Sequence, residues 1–509
     1  MKLNKYIVLG TFAASLILTT ACSDSFLEVD NPTGEPLEEY YTTPEHINEA
    51  LIAAYDPIHW PDWGLGQYNA LNIDAEVMGD NFWVGGSGPD DMHNWHLLNN
   101  FEADENNTYA SLWTVDYSGV KRCNDCLKYI TWCQTLSDDE AASIELQARA
   151  LRVYYYNNLW HYFGNIPFYL ENLEGNYFAP QLSADEVYNQ LIVELEAVMD
   201  GINGKKLPMR WDDANSGRLS QAMVYMMYAE MVMYQNDDSR YAKALSAMKE
   251  IIADNADYDL VDDFASIWEE SGEWSKESIW EINYNDENNE RGWNSPLAVG
   301  GTIMPTLIGP PNLNNADEGL TQECWGFLPV KIETYNKYSA IDARRDASIW
   351  DLRAYEYTPR YQDTHLWLKK YRAQDENNSS AGFDTNLNYN NNLRVYRFAE
   401  TLLNAAELLV LTNGDNAEAA RYVNRVRNRA GLNSLASVTQ DVIINERDLE
   451  FLGEGKRYFD LVRTGKASSV LVPDSYGYRT NTWSQKKKYI PIAQAELDSD
   501  PSLVQNDYK

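Results

Sequence analysis

The sequence predicts a mainly α-helical fold, and three observations carry the prediction. Two Ser-x-x-Glu boxes, Ser137 with Glu140 and Ser183 with Glu186, stand directly ahead of long apolar-periodic runs. There a hydroxyl and a carboxylate can satisfy each other's orphan amides at a helix start. Helical stretches come in pairs joined by short turns of Asn, Asp and Gly. Small residues (Ala222, Ala229, Ala244, Ala405, Ala406 and Ala420) recur where paired helices would approach closely. This is the pattern of tetratricopeptide-type hairpins without a clean repeat period.

Residues 1–21 read as a lipoprotein signal peptide. Lys2 and Lys5 precede an apolar run over 6–18, and small residues at Thr19, Thr20 and Ala21 lead to Cys22. The run is too short for a spanning helix, which needs about 20 residues. Cys22 is the expected lipid attachment site, although Leu18 lies four residues before it rather than the usual three. The alternative is an ordinary secretory signal with an incidental cysteine.

The first capping box opens a helix through Leu146, Leu151, Tyr155 and Leu159, stopped by Gly164 with Pro167 beyond. The second opens one through Val187, Leu191, Leu195 and Val198, stopped by Gly201. Ser220 starts a third, with Met223, Met227 and Met231 on one stripe. The turn Asn236-Asp237-Asp238 leads to its partner over 241–253. A later hairpin is expected at 393–411 and 417–430, around Asn413-Gly414-Asp415. Between the hairpins, 55–110 and 270–392 are rich in Gly, Asn, Asp, Pro and Trp, and loops this long in a packed protein are usually functional. A short strand is expected at 278–284, and 375–392 reads as a solvated loop.

A formal charge of −36 excludes nucleic acid and anionic membrane surfaces as partners and favours neutral ligands or cations. Aromatic residues are 13% of the chain, with 16 tryptophans and 35 tyrosines. Many sit in polar surroundings, as in Trp60-Pro61-Asp62-Trp63-Gly64 and Arg291-Gly292-Trp293-Asn294. Aromatics among amides and carboxylates suit a carbohydrate, whose apolar face packs on a ring while its hydroxyls bond Asn, Asp and Arg. The competing reading is that they are core residues.

Several stretches resemble the SusD/RagB family of outer-membrane nutrient-uptake lipoproteins. The most specific is Asn445-Glu446-Arg447-Asp448-Leu449-Glu450-Phe451, continued by Glu454-Gly455-Lys456-Arg457-Tyr458-Phe459-Asp460. Others are Leu146 to Arg152 leading to Tyr162-Phe163-Gly164-Asn165-Ile166-Pro167, Phe398-Ala399-Glu400, Asp342-Ala343-Arg344-Arg345, and the tail Tyr489-Ile490-Pro491-Ile492. The resemblance implies one SusD-like body over 22–509, with helical hairpins in 22–270 and the SusD/RagB C-terminal part in 271–509. Its long-loop, few-strand binding face would rest on tetratricopeptide-type helix pairs. It also implies a SusC-like TonB-dependent β-barrel transporter as partner, an oligosaccharide ligand, attachment to the outer membrane through the lipid, and no catalysis. Read from the residues alone, Glu446, Glu450 and Glu454 fall on one helical face. Arg447, Arg457 and Arg463 are placed to pair with Glu450, Glu454 and Asp460 three residues away, a structural ion-pair network.

Cofactor chemistry finds little purchase. Cys123-x-x-Cys126 with Cys133 reads as a stripe of buried thiols, lacking the second pair that zinc would want. His93 and His96 lack a third ligand, no Gly-x-Ser-x-Gly elbow occurs, and the carboxylates are too many to single out a glycosidase pair. The segment 286–290, Asp-Glu-Asn-Asn-Glu, is a calcium candidate without full loop spacing. The expected function is therefore non-catalytic capture of glycan at the cell surface. Peptide cargo is the first alternative, and a secreted carbohydrate-active enzyme on a helical scaffold the second. The resemblance places the binding face at about 75–100 and beyond the 278–284 strand. Within it the first candidate is Trp83, flanked by Asp80 and Asn81; Trp293 and Trp325 come next, each bordered by a glycine (Gly292, Gly326) that leaves a ring accessible, and Tyr284 is added to them.

Overall fold

Both capping boxes form. In the computed structural model, which describes residues 36–508 apart from 288–290, 312, 314–323 and 383, Ser183 and Ser137 each exchange hydrogen bonds with the glutamate three residues on. The signal peptide and Cys22 lie outside the described residues. Helices α1 (Pro44–Tyr55), α2 (Leu71–Met78), α3 (His93–Asn99), α4 (Ala110–Ile130), α5 (Asp138–Phe163), α6 (Ala184–Asp200), α7 (Gln221–Gln235) and α8 (Tyr241–Ile252) are followed, after a long loop region, by α9 (Phe398–Leu411), α10 (Asn416–Arg429), α11 (Gln440–Glu450) and α12 (Arg457–Arg463).

Consecutive packing runs α1–α4–α5–α6–α7–α8–α9–α10, so hairpins distant in sequence become one continuous stack. Helix α12 folds back onto α2 and α7 and ties the C-terminal part to the N-terminal part. The α4–α5 contact depends on Gly119: a Cβ there would sit 2.4 Å from the ring of Tyr155, whose hydroxyl is held on the carbonyl of Ala54 at 2.7 Å. Among the described residues no helix is long and apolar enough to cross a membrane.

Four local expectations change. The methionines of α7 are buried, but so are Tyr225, Tyr228 and Val232 on its other faces, because α6, α8 and α12 enclose the helix. Residues 393–397 are a strand, not the start of a helix. Leu393–Arg397 (β6) pairs antiparallel with Ser278–Ile282 (β3), and α9 begins only at Phe398. Small two-stranded pairings also join Ile166–Pro167 (β1) to Gln181–Leu182 (β2) and Ile349–Asp351 (β4) to Leu366–Leu368 (β5). The asparagine-rich stretch 375–392 is solvated only in part: Glu376, Ser379, Ser380 and Thr385 are exposed, while most of its asparagines turn inward. Asn388 and Asn392 are buried and serve as polar mortar, Asn388 donating to the carbonyl of Arg291 at 3.0 Å and Asn392 to Glu281 at 3.0 Å.

The fourth change concerns the ion pairs. Helix α11 stops at Glu450, so Glu446, Glu450 and Glu454 do not share one continuous helical face. They converge instead on cations brought from afar. Arg344 meets Glu446 at 2.8 Å and Glu450 at 3.2 Å. Arg397 meets Glu277, Glu450 and Glu454 at 2.6, 3.1 and 2.8 Å. Arg429 meets Glu450 at 2.6 Å, and Lys370 meets Glu454 at 2.6 Å. Of the three-residue pairings expected, only Arg463 with Asp460 forms, at 2.7 Å. Arg447 turns to Asp460 and Glu400, and Arg457 to Asp80 and Asp448. The network is structural, as the sequence suggests, but it joins the β3–β6 sheet, α10, α11 and the turn after α11 rather than stiffening one helix.

Candidate functional site

Two tight turns build a cluster of rings at the surface. The first is a two-residue hairpin: Gly64 and Gln67 exchange backbone hydrogen bonds at 3.2 and 3.1 Å, with Leu65 and Gly66 at positive φ between them. That geometry sets Trp63 and Tyr68 opposite each other, and their rings stack with centroids 4.6 Å apart. The second is the turn from Gly292 to Ser295, closed by a 3.0 Å backbone hydrogen bond, which presents Trp293 at its tip. A third segment brings Trp325, whose amide donates to the carbonyl of Thr306 at 2.8 Å.

The four rings close a circuit. Trp63 meets Trp293 at 5.5 Å, Trp293 lies parallel to Trp325 at 6.1 Å, and Trp325 meets Tyr68 at 5.7 Å. Trp293 is 38% exposed, while Trp63, Tyr68 and Trp325 are half-buried. Asp91 stands near, held by the amide and hydroxyl of Ser87 at 2.8 Å each. Burial first and the Asp91 charge second push the Tyr68 phenol up to about 12, so it stays a neutral hydrogen-bond donor at ordinary pH. The surface joins flat apolar faces to a fixed carboxylate, a chemistry fitted to binding a neutral polyol.

A buried ion pair holds this platform from beneath. Arg291, fully buried, meets Asp62 and also donates to the carbonyls of Gly301, Pro296 and Trp63, the last two at 3.0 and 3.1 Å. Asp62 in turn accepts the amide of Ile303 at 2.8 Å. One guanidinium thus fixes the Trp63 hairpin against the Trp293 loop. Asp384 adds a further tie, accepting the amide of Trp293 at 3.1 Å.

The sequence candidates separate sharply in this structure. Trp293 and Trp325 come together on the platform. Trp83, the first choice, does not present an open ring: it is 3% exposed. Segment 81–86 pairs with 326–331 through Trp83 to Pro329, Leu328 to Val84 and Lys331 to Asn81, and this pairing draws Trp83 inward. The Lys331 ammonium caps its face at 4.0 Å, and Tyr476 and Tyr478 meet it at steep angles. Its neighbours are also spent on structure. Asp80 accepts Arg457 at 2.7 Å and Lys337 at 3.3 Å, and Asn81, wholly buried, donates to Asp448 at 2.9 Å. Tyr284 is buried under the platform, its amide donating to Asn392 at 3.0 Å; burial, and then the Asp62 charge, push its phenol well up. Tyr68 was missed, and Trp63 was noted only for its polar setting. The signal that marks both is the pair of aromatics placed symmetrically about the Leu65-Gly66 turn.

The other candidate groups are structural in their contacts. Cys123, Cys126 and Cys133 are buried free thiols, with burial pushing the Cys126 thiol up to about 12. Of the calcium segment, Asp286 is buried and accepts the amide of Ser380 at 2.9 Å, while 288–290 lie outside the described residues.

Comparison with known proteins places these features in context. A SusD family model matches residues 344–508, and a model described as starch-binding associating with outer membrane matches residues 25–206. The surface glycan-binding protein A of Bacteroides uniformis is 58% identical, over 92% of this chain and 100% of that one, with a TM-score of 0.85. The corresponding protein of Bacteroides thetaiotaomicron, solved in complex with laminarihexaose, is 50% identical over 92% and 100%, with a TM-score of 0.87. SusD-like protein P2 of Formosa agariphila is 24% identical over 97% of this chain and 98% of that protein.

Proposed function

The chain belongs to the SusD family, and from that premise we propose that it is a non-catalytic cell-surface lipoprotein that captures β-1,3-glucan oligosaccharide and hands it to a SusC-like TonB-dependent transporter. The observation that carries the proposal is the circuit of Trp63, Tyr68, Trp325 and Trp293, offered at the surface and fixed from below by Arg291 and Asp62. Parallel Trp293 and Trp325 rings favour flat pyranose faces over an extended peptide, whose recognition calls for backbone pairing. The laminarihexaose bound by the thetaiotaomicron protein supports the choice of sugar. Native electrophoresis in gels cast with laminarin tests this reading: the protein should be retarded, and prolonged incubation should release no shorter oligosaccharides. Free migration would remove laminarin as the ligand, and released products would return the protein to the enzyme class.

The anchor proposal rests on Lys2, Lys5, the apolar run over 6–18 and Cys22. Cys22→Ala should leave the protein uncleaved or soluble and off the cell surface. Full recovery of that variant in outer-membrane fractions would contradict lipid attachment at Cys22.

A further inference from the structure

Resting on the reading of the tryptophan platform as a glycan site, we propose that the site continues onto a second aromatic surface, formed by Tyr361, Tyr476 and Tyr478, which takes the additional glycosyl units of chains longer than a trisaccharide. Tyr476 and Tyr478 lie nearly parallel, with centroids 5.8 Å apart and planes 13° from each other. Tyr361 meets Tyr478 at 5.5 Å. Tyr476 is 54% exposed, and Tyr361 and Tyr478 are half-buried. The buried Trp83 supports both loop tyrosines edge-on, at 5.7 and 5.1 Å.

This loop is built to hold its rings still. The Asp474 carboxylate accepts the amides of Tyr476 at 2.7 Å and Tyr478 at 3.2 Å, and that of Arg479 as well. Gly477 takes the positive φ that the turn between the tyrosines requires. Arg479, itself buried, locks the loop to the body by donating to the carbonyls of Asn99 at 2.8 Å and Gly79 at 2.7 Å. Rings already fixed in place lose little freedom on binding, so their contact area goes into affinity.

The two aromatic surfaces hang from one backbone joint. Gly86 donates to the carbonyl of Gly326, next to Trp325, at 2.8 Å, and accepts the amide of Tyr361 at 3.1 Å. Arg360, preceding Tyr361, donates to the carbonyl of Trp325 itself at 2.8 Å. These ties hold the tyrosine surface to the segment that carries Trp325, which is the ground for reading the two as one extended site. The separate tyrosine rings, bordered by Arg360 and by His96 at 5.7 Å from Tyr361, suit successive sugar units with hydroxyls between them. A protein partner would call for a broader apolar patch.

Isothermal titration with laminaritriose and laminarihexaose tests the proposal in the double variant Tyr476→Ala/Tyr478→Ala. The hexasaccharide should bind about 5- to 25-fold more weakly, from stacking losses at one or two rings, while the trisaccharide keeps its affinity. Tyr476→Phe/Tyr478→Phe should retain hexasaccharide binding. Unchanged hexasaccharide affinity in the alanine variant overturns the proposal, as does an equal loss for both sugars, which would make the tyrosines part of the first platform. Trp293→Ala/Trp325→Ala, with the tyrosines intact, should lose both sugars. If that variant binds the trisaccharide normally, it is the platform reading that fails.

Discussion

Glu450→Gln should destabilise the protein by about 3–5 kcal/mol, the cost of leaving buried charges without their partner, and lower its thermal midpoint by several degrees. The side chain is wholly buried among Arg344, Arg397 and Arg429, at 3.2, 3.1 and 2.6 Å. Removing one negative charge leaves Arg344 on the short helix Ala343–Ser348, Arg397 on β6 and Arg429 on α10 one carboxylate short, away from water. The exposed pair Lys128–Glu174, 3.5 Å apart with side chains 55% and 84% accessible, provides the contrast. Lys128→Ala should cost less than about 1 kcal/mol.

The same network sets an acid limit. Burial alone would raise the carboxyl of Glu450, but Arg429, Arg397, Arg344 and Lys370 outweigh it and bring it down to about 2 from an ordinary 4.5. Because the folded value is the lower one, the unfolded chain binds the extra proton. The stabilisation is fully present above about pH 4.5 and is lost as pH falls towards 2. This one group contributes on the order of 3 kcal/mol across that window. Denaturant titrations at stepped pH should show the wild-type midpoint falling steeply below about pH 4.5, and the Glu450→Gln midpoint falling less.

Local signals in the sequence foretold α5 to α8 and α10, because capping boxes and glycine stops act within a few residues of themselves, but not α1, nor α2 and α3 within the loop-rich 55–110. Long-range partners decided the rest. Residues 393–397 became a strand because 278–282 offered an edge. Asn388 went inside because the 291–301 loop offered a carbonyl and an amide that needed partners. Trp83 and Trp293 both stand in polar, glycine-rich sequence, yet one is pinned in a pairing with 326–331 while the other rides the tip of a turn. Exposure of a ring depends on which face the distant segment covers, and no window around either tryptophan contains that information. Gly326, beside Trp325, takes a positive φ, and Trp293 sits on the Gly292–Ser295 turn, so both rings keep partial exposure.

Trp293→Ala/Trp325→Ala should abolish most glycan binding while leaving the fold intact. On the proposed reading the two parallel rings stack on one ligand, each contributing about 1 kcal/mol beyond its buried area, near fivefold in affinity. Trp293 is 38% exposed and Trp325 half-buried against the core, so their loss should cost less stability than that of a fully buried indole. Trp83→Ala is the counterpart: truncating a buried indole should cost about 3–5 kcal/mol of stability. Titration of laminarihexaose into wild type and Trp293→Ala/Trp325→Ala, with thermal melting of both, is the most direct test of the platform. The account predicts at least a tenfold weaker affinity with a nearly unchanged transition. Wild-type affinity in the double variant would contradict it.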